Sequence, residues 1–142
     1  MLRSRLSRLF AIALLLMPAI VLTDESTTLQ EIMQGLRDNL VEISDGLLTD
    51  DYALVARGAT AIAEHPPIPS EQVQLVAKAL GPEMPAFKQF DVRVHKLSLD
   101  ISAAAEAGDR AAAISGFQQM IEGCFACHAA YKDRVAAVLK KN

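Results

Sequence analysis

The chain lacks tryptophan and has few aromatic residues of any kind, with five phenylalanines and two tyrosines among 142 residues. No stretch of useful length alternates apolar and polar residues with a period of two, the pattern of a half-buried strand. Alanine, leucine, isoleucine and valine dominate instead. The composition therefore argues against strands and favours helices.

The sequence also lacks the motifs of common enzyme sites. It has no phosphate-binding glycine loop, no Ser-His-Asp set and no cluster of catalytic carboxylates. No internal repeat or low-complexity tract interrupts it. We therefore expect one globular domain that is not an enzyme.

Cysteine is scarce as well, and both copies lie in one pentapeptide, Cys-Phe-Ala-Cys-His, which runs from Cys124 through Cys127 to His128. A thioredoxin-like Cys-x-x-Cys should follow a strand, and a zinc site needs a second pair of ligands. Neither context is present. The spacing is that of a c-type haem attachment site.

Helical spacing explains how this motif would act. Residues at i and i+3 share one helix face, so the thiols of Cys124 and Cys127 can bond to two neighbouring vinyl groups of one porphyrin. His128 lies at i+4 from Cys124, where its imidazole can bind the iron from the proximal side. We therefore predict one covalently bound haem c, held by both cysteines, with His128 as an iron ligand.

The first 23 residues have the form of a secretory signal peptide. Three arginines precede an unbroken apolar run over residues 9–22, which is too short to span a bilayer comfortably. Cleavage after Ala19 or after Thr23 fits, and an uncleaved membrane anchor is the alternative. We expect a domain over residues 24–142 that is exported to the periplasm, where bacteria attach haem covalently.

Acidic residues outnumber basic ones, and export increases the imbalance. The whole chain has a formal charge of −3, and removal of residues 1–23 leaves 11 basic and 17 acidic residues, a charge of −6. This charge argues against nucleic acid and favours redox partners with a basic docking surface. The oligomeric state stays open, a homodimer included.

Capping signals predict the first two main helices. Helix one begins at the capping box Thr28–Glu31 and ends near residues 44–46. Helix two begins behind Asp51 and stops before Pro66. His65 then lies beyond the last turn, and we expect it to be an exposed loop histidine.

A long connection over residues 66–86 contains five prolines and Gly81, with a short helix over residues 71–80 inside it. Helix three follows from Phe87 to Gly108. Asp109 caps helix four.

Apolar residues recur at steps of three and four, a pattern typical of faces that pack against partner helices. The seam of helix one comprises Leu29, Met33, Leu36, Leu40, Ile43 and Leu47. The seam of helix four comprises Ile114, Phe117, Ile121, Cys124, His128, Tyr131, Val135 and Val138. Four such helices predict an all-α, antiparallel up-down four-helix bundle that encloses the haem. Gly123, beside Cys124, is either a tolerated helix glycine or a source of room for the porphyrin.

These features resemble class II c-type cytochromes, the family of cytochrome c-prime and its six-coordinate relatives, in which a four-helix bundle carries Cys-x-x-Cys-His near the C-terminus. The match in helix four covers residues 124–132. It implies haem-pocket contacts for Tyr131 and for Lys132, whose position often holds arginine in the family. The run 29–40 is also similar to the soluble b-type four-helix cytochrome, in which a methionine placed like Met33 is the sixth iron ligand.

Geometry supports Met33 as the distal ligand. In an up-down bundle, the start of helix one lies near the last part of helix four, so Met33 can face His128 across a porphyrin. Met120 precedes His128 by about 12 Å on the same helix, at 1.5 Å per residue, and cannot reach the opposite face. Met84 is the rival ligand, in a loop that covers the haem edge. We expect His95 to be an ordinary, partly buried histidine.

A thioether opposite an imidazole gives low-spin iron and raises the reduction potential. The sequence therefore predicts a periplasmic monohaem cytochrome that transfers electrons, with His128 and Met33 as axial ligands. The alternative, implied by cytochrome c-prime, is a five-coordinate binder of nitric oxide or carbon monoxide, which requires that Met33 not bind iron. A haem-free thiol or metal protein is a third hypothesis.

Overall fold

A computed structural model of the chain describes residues 27–140, so the predicted signal peptide lies outside the described residues. Within that range every regular element is helical: α1 Leu29–Thr49, α2 Tyr52–Ala63, α3 Ser70–Leu80, a 3-10 turn Gly81–Glu83, α4 Met84–Glu106 and α5 Arg110–Leu139. The predicted all-α class with four main helices is confirmed for this part of the chain, as is the short helix α3. None of these helices is long and apolar enough to cross a membrane.

Local caps fix the helix starts where the sequence predicts them. Thr28 Oγ1 accepts from the backbone N–H of Glu31 at 3.3 Å, and the Glu31 carboxylate accepts from the backbone N–H of Thr28 at 2.8 Å. Asp51 and Asp109 each accept from the backbone N–H three residues later, at 3.0 Å. Each cap satisfies an N–H group that the helix itself leaves unpaired.

The end of α1 differs from the prediction. The helix continues through Gly46 to Thr49 and ends at Asp50, whose φ of 58° is left-handed. A Cβ at Gly46 would lie 2.8 Å from Val55 of α2. Glycine at this position therefore permits the close approach of α2 and does not end α1.

Helix α4 begins at Met84, three residues before the predicted start at Phe87. Pro85 does not prevent this, because the first turn of a helix leaves its N–H groups unpaired in any case. Gly81 and Gly108, with φ of 51° and 68°, lie at the ends of α3 and α4, as predicted.

Where two neighbouring helices are in contact, the residue numbers rise along one helix as they fall along the other. For α4 and α5 the pairs are Ile101 with Gly116, Ser98 with Met120, Val94 with Gly123, and Phe90 and Phe87 with Tyr131. For α1 and α2 they are Gly46 with Val55 and Ile43 with Gly58. For α2 and α4 they are Thr60 with Ser102, 3.0 Å between hydroxyls, and the Ala63 carbonyl with His95, at 3.2 Å. By contrast, α1 and α5 approach each other at only a few residues.

The apolar interior divides into two clusters. The first core cluster consists of Ile43, Val55, Ala59, Ile62, Ile101, Ala105 and Met120. The second core cluster consists of Leu29, Val76, Leu80, Tyr131 and Val135. Because the second contains residues of α1, α3 and α5, the short helix α3 joins the beginning of α1 to the last part of α5. A hydrogen bond of 2.8 Å from the Leu29 N–H to Gln72 Oε1 of α3 reinforces this junction.

The buried stripes of α1 and α5 lie partly one residue away from the predicted seams. Helix α5 buries Ala113, Gly116, Met120, Gly123, Tyr131 and Val135. Ile114 is 43% exposed and Met33 is 41% exposed, while Ile32 is buried. His128 is exposed too. The predictions that Met33 and His128 lie on buried stripes are therefore wrong. On α5 the buried stripe differs from the predicted seam because α4 packs closely over Gly116, where a Cβ would be 2.7 Å from Ile101.

Candidate cofactor site

The Cys-Phe-Ala-Cys-His motif lies in the middle of α5, within an unbroken helix. Cys124 and Cys127 are half-buried, Phe125 is 70% exposed and His128 is exposed. No hydrogen bond or ion pair to the His128 imidazole is found within residues 27–140. One helical turn thus directs both thiols towards the interior and leaves the imidazole free to bind a ligand.

The two thiols lie at the border between the core clusters. Cys124 packs against the first core cluster and Cys127 against the second. A group bonded to both thiols would therefore contact apolar side chains of both clusters. The spacing of the cysteines predicts their shared helix face, but nothing in the sequence indicates that the core divides beside them.

Both thiols have a raised pKa. Burial raises the pKa of Cys124. Burial also raises the pKa of Cys127, with smaller contributions from Cys124 and from the Asp91 carboxylate of α4. Redox-active Cys-x-x-Cys sites have lowered thiol pKa values and lie at helix N-termini or near cations. This environment is the opposite, and it argues against a thiol redox function.

Other metal-ligating side chains do not converge on the motif. Among the described residues, no three His, Cys, Asp or Glu side chains are grouped so that they could hold a metal ion. A zinc site made of protein ligands alone therefore has no support in residues 27–140. A porphyrin would need fewer ligands from the protein, because its own nitrogens bind the iron.

The two residues that the family resemblance adds to the pocket have different surroundings. Tyr131 is 7% exposed and packs edge-on against Phe87 and Phe90, with ring centroids 5.4 and 6.0 Å apart. It belongs to the second core cluster, against which Cys127 also packs. Lys132 is exposed. Tyr131 therefore lies where it could contact a group bonded to Cys127.

The beginning of α1 lies beside the last part of α5, because Leu29 belongs to the same core cluster as Tyr131 and Val135. Met33 follows Leu29 by one turn of α1, and His128 precedes Tyr131 by about one turn of α5. The Met33 side chain is partly exposed and so is not held within the core.

Met84 lies in the first turn of α4, not in a loop as predicted, and it is half-buried. It packs against the second core cluster, as Cys127 does. Met120, by contrast, is fully buried, and its sulfur accepts a hydrogen bond of 3.3 Å from the Ser98 hydroxyl.

The two remaining histidines differ from the prediction in their exposure. His65 does lie in the loop after α2, but its side chain is only 23% exposed. It lines a cavity of about 190 Å³ whose walls are Thr27, Glu31, Ile32, Gly35, Leu36, Asn39, Ala61, His65 and Pro66. His95 is exposed, not partly buried, with Nδ1 3.2 Å from the Ala63 carbonyl oxygen.

The residues of the motif fit a haem c by the chemistry of their donors. Two thiols on one helix face border two apolar clusters, and the second thiol is followed by an imidazole that has no partner among residues 27–140. Comparisons of the chain with family models, curated proteins and solved structures find no match. The functional assignment therefore depends on the motif and on its surroundings in the fold.

Proposed function

We propose that this protein is a monohaem c-type cytochrome that transfers electrons. In this proposal the helices form an antiparallel up-down bundle enclosing one haem c, bonded to Cys124 and Cys127 and bound through its iron by His128. The observation that carries the proposal is the position of the two half-buried thiols at the border of the core clusters, next to an imidazole without a partner in the described part of the chain. The raised thiol pKa values support it, because they disfavour the competing thiol chemistry.

The bound group would supply a one-electron couple between ferric and ferrous iron. The protein would hold it through two thioethers, orient it through the His128 imidazole and exclude water with the residues of both core clusters. Tyr131 would contact it beside Cys127. Lys132 is exposed and would interact only at the periphery.

Met33 is the distal ligand in this proposal. The shared cluster of Leu29 and Tyr131 supports it, because it brings the first turns of α1 to the part of α5 that follows the motif. A thioether opposite His128 would give the low-spin iron of an electron carrier. Met84 is the rival ligand, since it packs against the same cluster as Cys127.

The second candidate function is a five-coordinate site that binds nitric oxide or carbon monoxide. The exposure of Met33 favours it, because a side chain that the core does not hold need not bind the iron. The class II resemblance includes both alternatives. They differ in one feature, the presence of a sixth protein ligand.

Cellular location and partners are part of the same proposal. The N-terminal sequence supports export to the periplasm, and the charge of −6 that remains after residues 1–23 supports redox partners with a basic docking surface. The acidic charge does not favour nucleic acid as a partner.

The experiment that tests the proposal compares the full chain with a variant carrying Cys124→Ala and Cys127→Ala, both expressed in a bacterium that attaches haem c in its periplasm. Denaturing electrophoresis with a haem stain should label the parent protein and not the double variant, since only covalent haem survives denaturation. Phe125→Ala is the matched control, because Phe125 lies between the cysteines and is exposed. An unstained parent protein, or a stained double variant, would refute the attachment.

A further inference from the structure

One end of the bundle exposes apolar side chains. At this end α1 ends and α5 begins, and the carboxylate of Asp50 pairs with the guanidinium of Arg110 at 2.7 Å. Leu48, in the last turn of α1, is 81% exposed, the highest value among the exposed large apolar side chains of residues 27–140. Val41 lies about two turns earlier on the same face of α1 and is 63% exposed, and Ile114, near the start of α5, is 43% exposed. This end therefore presents apolar groups that the fold itself does not cover.

The same end carries most of the excess negative charge of the described chain. Residues 27–140 include 15 acidic and 10 basic residues, a formal charge of −5. We define the acidic end as residues 44–54 and 103–114, which include five acidic residues and one basic residue, a formal charge of −4. The five acidic residues are all exposed: Asp45, Asp50, Asp51, Glu106 and Asp109. The exposed apolar side chains of the acidic end thus share their surface with carboxylates.

The opposite end of the bundle is balanced in charge. It consists of residues 27–34, 61–90 and 129–140, around the second core cluster, and it includes five acidic and five basic residues. Two of these residues, Glu83 and Arg134, form an ion pair at 2.9 Å. The excess negative charge of the described chain is therefore a property of the acidic end and not of the surface as a whole.

The charge of the acidic end decides which partner fits it. A second copy of this chain docked through the same end would bring two surfaces of like charge together, and the opposite end has no excess positive charge to attract it. Anionic lipid headgroups and nucleic acids would be repelled as well. A protein with an apolar patch bordered by lysine or arginine would be attracted by the carboxylates and would cover Leu48. The surface therefore fits a basic protein partner.

We propose that the acidic end docks a redox protein whose apolar contact patch is bordered by basic residues. The inference rests on the proposed function for the redox activity of the partner, whereas the binding itself can be measured whether or not haem is attached. Ile114 precedes Cys124 by ten residues of α5, about 15 Å along the helix axis at 1.5 Å per residue. The partner would therefore bind on the side of the cysteine motif that leads towards the start of α5.

The test is an NMR titration of the isotope-labelled, haem-loaded full protein with an unlabelled basic class I cytochrome c, at an ionic strength of about 10 mM, where screening is weak. Both proteins are kept reduced, and carbon monoxide is added if the labelled protein is high-spin. The backbone amide resonances of the acidic end should shift, and those of the opposite end should not. This measurement uses the wild-type protein and does not depend on the folding of a variant.

Two double variants separate local docking from net charge. Asp45→Asn with Glu106→Gln removes two exposed carboxylates from the acidic end and should raise the Kd for the same cytochrome by on the order of fivefold. Glu64→Gln with Glu71→Gln makes the same change of charge at exposed positions of the opposite end and should have little effect.

The apolar contact is tested in the same way. Leu48→Ser should raise the Kd by on the order of tenfold, because the partner would otherwise bury this side chain. Val92→Ser, at a 57% exposed position of α4 outside the acidic end, is the matched control and should leave the Kd unchanged.

Equal weakening by the two double variants would overturn the proposal, because net charge alone would then explain the binding. Shifts concentrated at the opposite end, or the absence of binding at low ionic strength, would overturn it too and would leave the proposed function intact if the protein carries covalent haem. A dimer in sedimentation that Leu48→Ser dissociates would show that a second copy occupies this surface, and would also overturn it. A protein without haem that binds the cytochrome through the acidic end would support the docking surface and refute the proposed function.

Discussion

The guanidinium of Arg134 on α5 forms a bidentate ion pair with the carboxylate of Glu83, which lies in the turn before α4. Nη1 donates to Oε2 at 3.1 Å and Nη2 donates to Oε1 at 2.9 Å, so both carboxylate oxygens are bound. The same guanidinium lies 6.0 Å from the centroid of the Tyr131 ring. The pair therefore fixes the beginning of α4 beside the aromatic residue that follows the cysteine motif.

Arg134→Gln should lower the melting temperature more at pH 7 than at about pH 2, where Glu83 is protonated and only the contact with Tyr131 is left to lose. Hydrogen bonding to Arg134 lowers the pKa of Glu83 below its ordinary value of 4.5. A pKa that is lower in the folded chain than in the unfolded chain stabilises above the unfolded value, and the contribution is lost as the pH falls through the folded value. Both side chains are partly exposed, so the effect is modest.

Thermal unfolding followed by circular dichroism at several pH values measures this difference. Arg37→Gln is the control, since among residues 27–140 Arg37 pairs only with its neighbour Asp38, and both side chains are largely exposed. A loss of stability for Arg134→Gln that was equally large at pH 7 and at about pH 2 would show that the pairing of Glu83 is not its cause.

Gly116→Ala should destabilise the protein, because the added Cβ would lie 2.7 Å from Ile101 at the contact of α4 and α5. Overpacking of this kind costs about 1–3 kcal/mol. Gly35→Ala should instead stabilise by about 0.5–1 kcal/mol, because apart from its own helix no described residue lies within 4 Å of the added Cβ, and alanine is the better helix former. Urea unfolding of both variants gives the comparison. Equal effects of the two substitutions would contradict the close packing at Gly116.

The helix starts could be predicted because each cap involves residues within a single turn. Thr28, Asp51 and Asp109 illustrate this, since each accepts from a backbone N–H three residues later. The end of α1 could not be predicted in the same way. Gly46 is typical of a helix end, yet it is required within the helix by a residue of α2.

The inward face of α5 was predicted only in part. A seam with steps of three and four fits two stripes one residue apart, and the larger side chains of Ile114 and Ile121 favoured the wrong one. What decides the choice is the close approach of α4 at Gly116. Farther along, at Tyr131 and Val135, the predicted seam is confirmed as buried.

In the candidate site, too, the local features could be predicted and the contacts between distant elements could not. The spacing of Cys124, Cys127 and His128 is local and can be recognised in the sequence. The border between the two core clusters beside these thiols depends on residues of separate helices, so no spacing rule predicts it.

Gly123→Ala separates the two interpretations of that glycine. A Cβ there would meet nothing closer than Val94 at 3.9 Å, an ordinary contact, so the protein packing alone does not require glycine. If Gly123 makes room for the porphyrin, the variant should carry less covalent haem per polypeptide, measured by haem absorbance after denaturation. Gly35→Ala is the control. Full haem content in Gly123→Ala would identify Gly123 as a tolerated helix glycine.

Electron exchange with a basic redox protein should slow as the ionic strength rises from about 10 mM to about 0.2 M, because salt screens the attraction to an acidic surface. The charge of −6 on the chain after residue 23 predicts that the exchange rate falls, and does not rise, with added salt. Stopped-flow measurement of the exchange rate tests it. A rate independent of salt would show that electrostatic attraction does not contribute to partner recognition.

Met33→Ala should convert a low-spin protein into a high-spin one if the Met33 sulfur binds the iron. The oxidised wild type should then show the sulfur-to-iron charge-transfer band of Met/His haems, and the reduced wild type should bind carbon monoxide poorly. The variant should lose the band, bind carbon monoxide readily and have a lower reduction potential. Covalent haem should persist, because Cys124, Cys127 and His128 are unchanged.

Two further variants identify the ligand. Val41→Ala removes another exposed apolar side chain of α1 and should leave the spectra unchanged. Met84→Ala should alter them only if the half-buried Met84, in the cluster beside Cys127, is the ligand. A wild type that is already high-spin, and that neither substitution changes, would refute six-coordinate electron transfer. It would support the gas-binding function, because the exposed Met33 would then be a surface residue without a role at the iron.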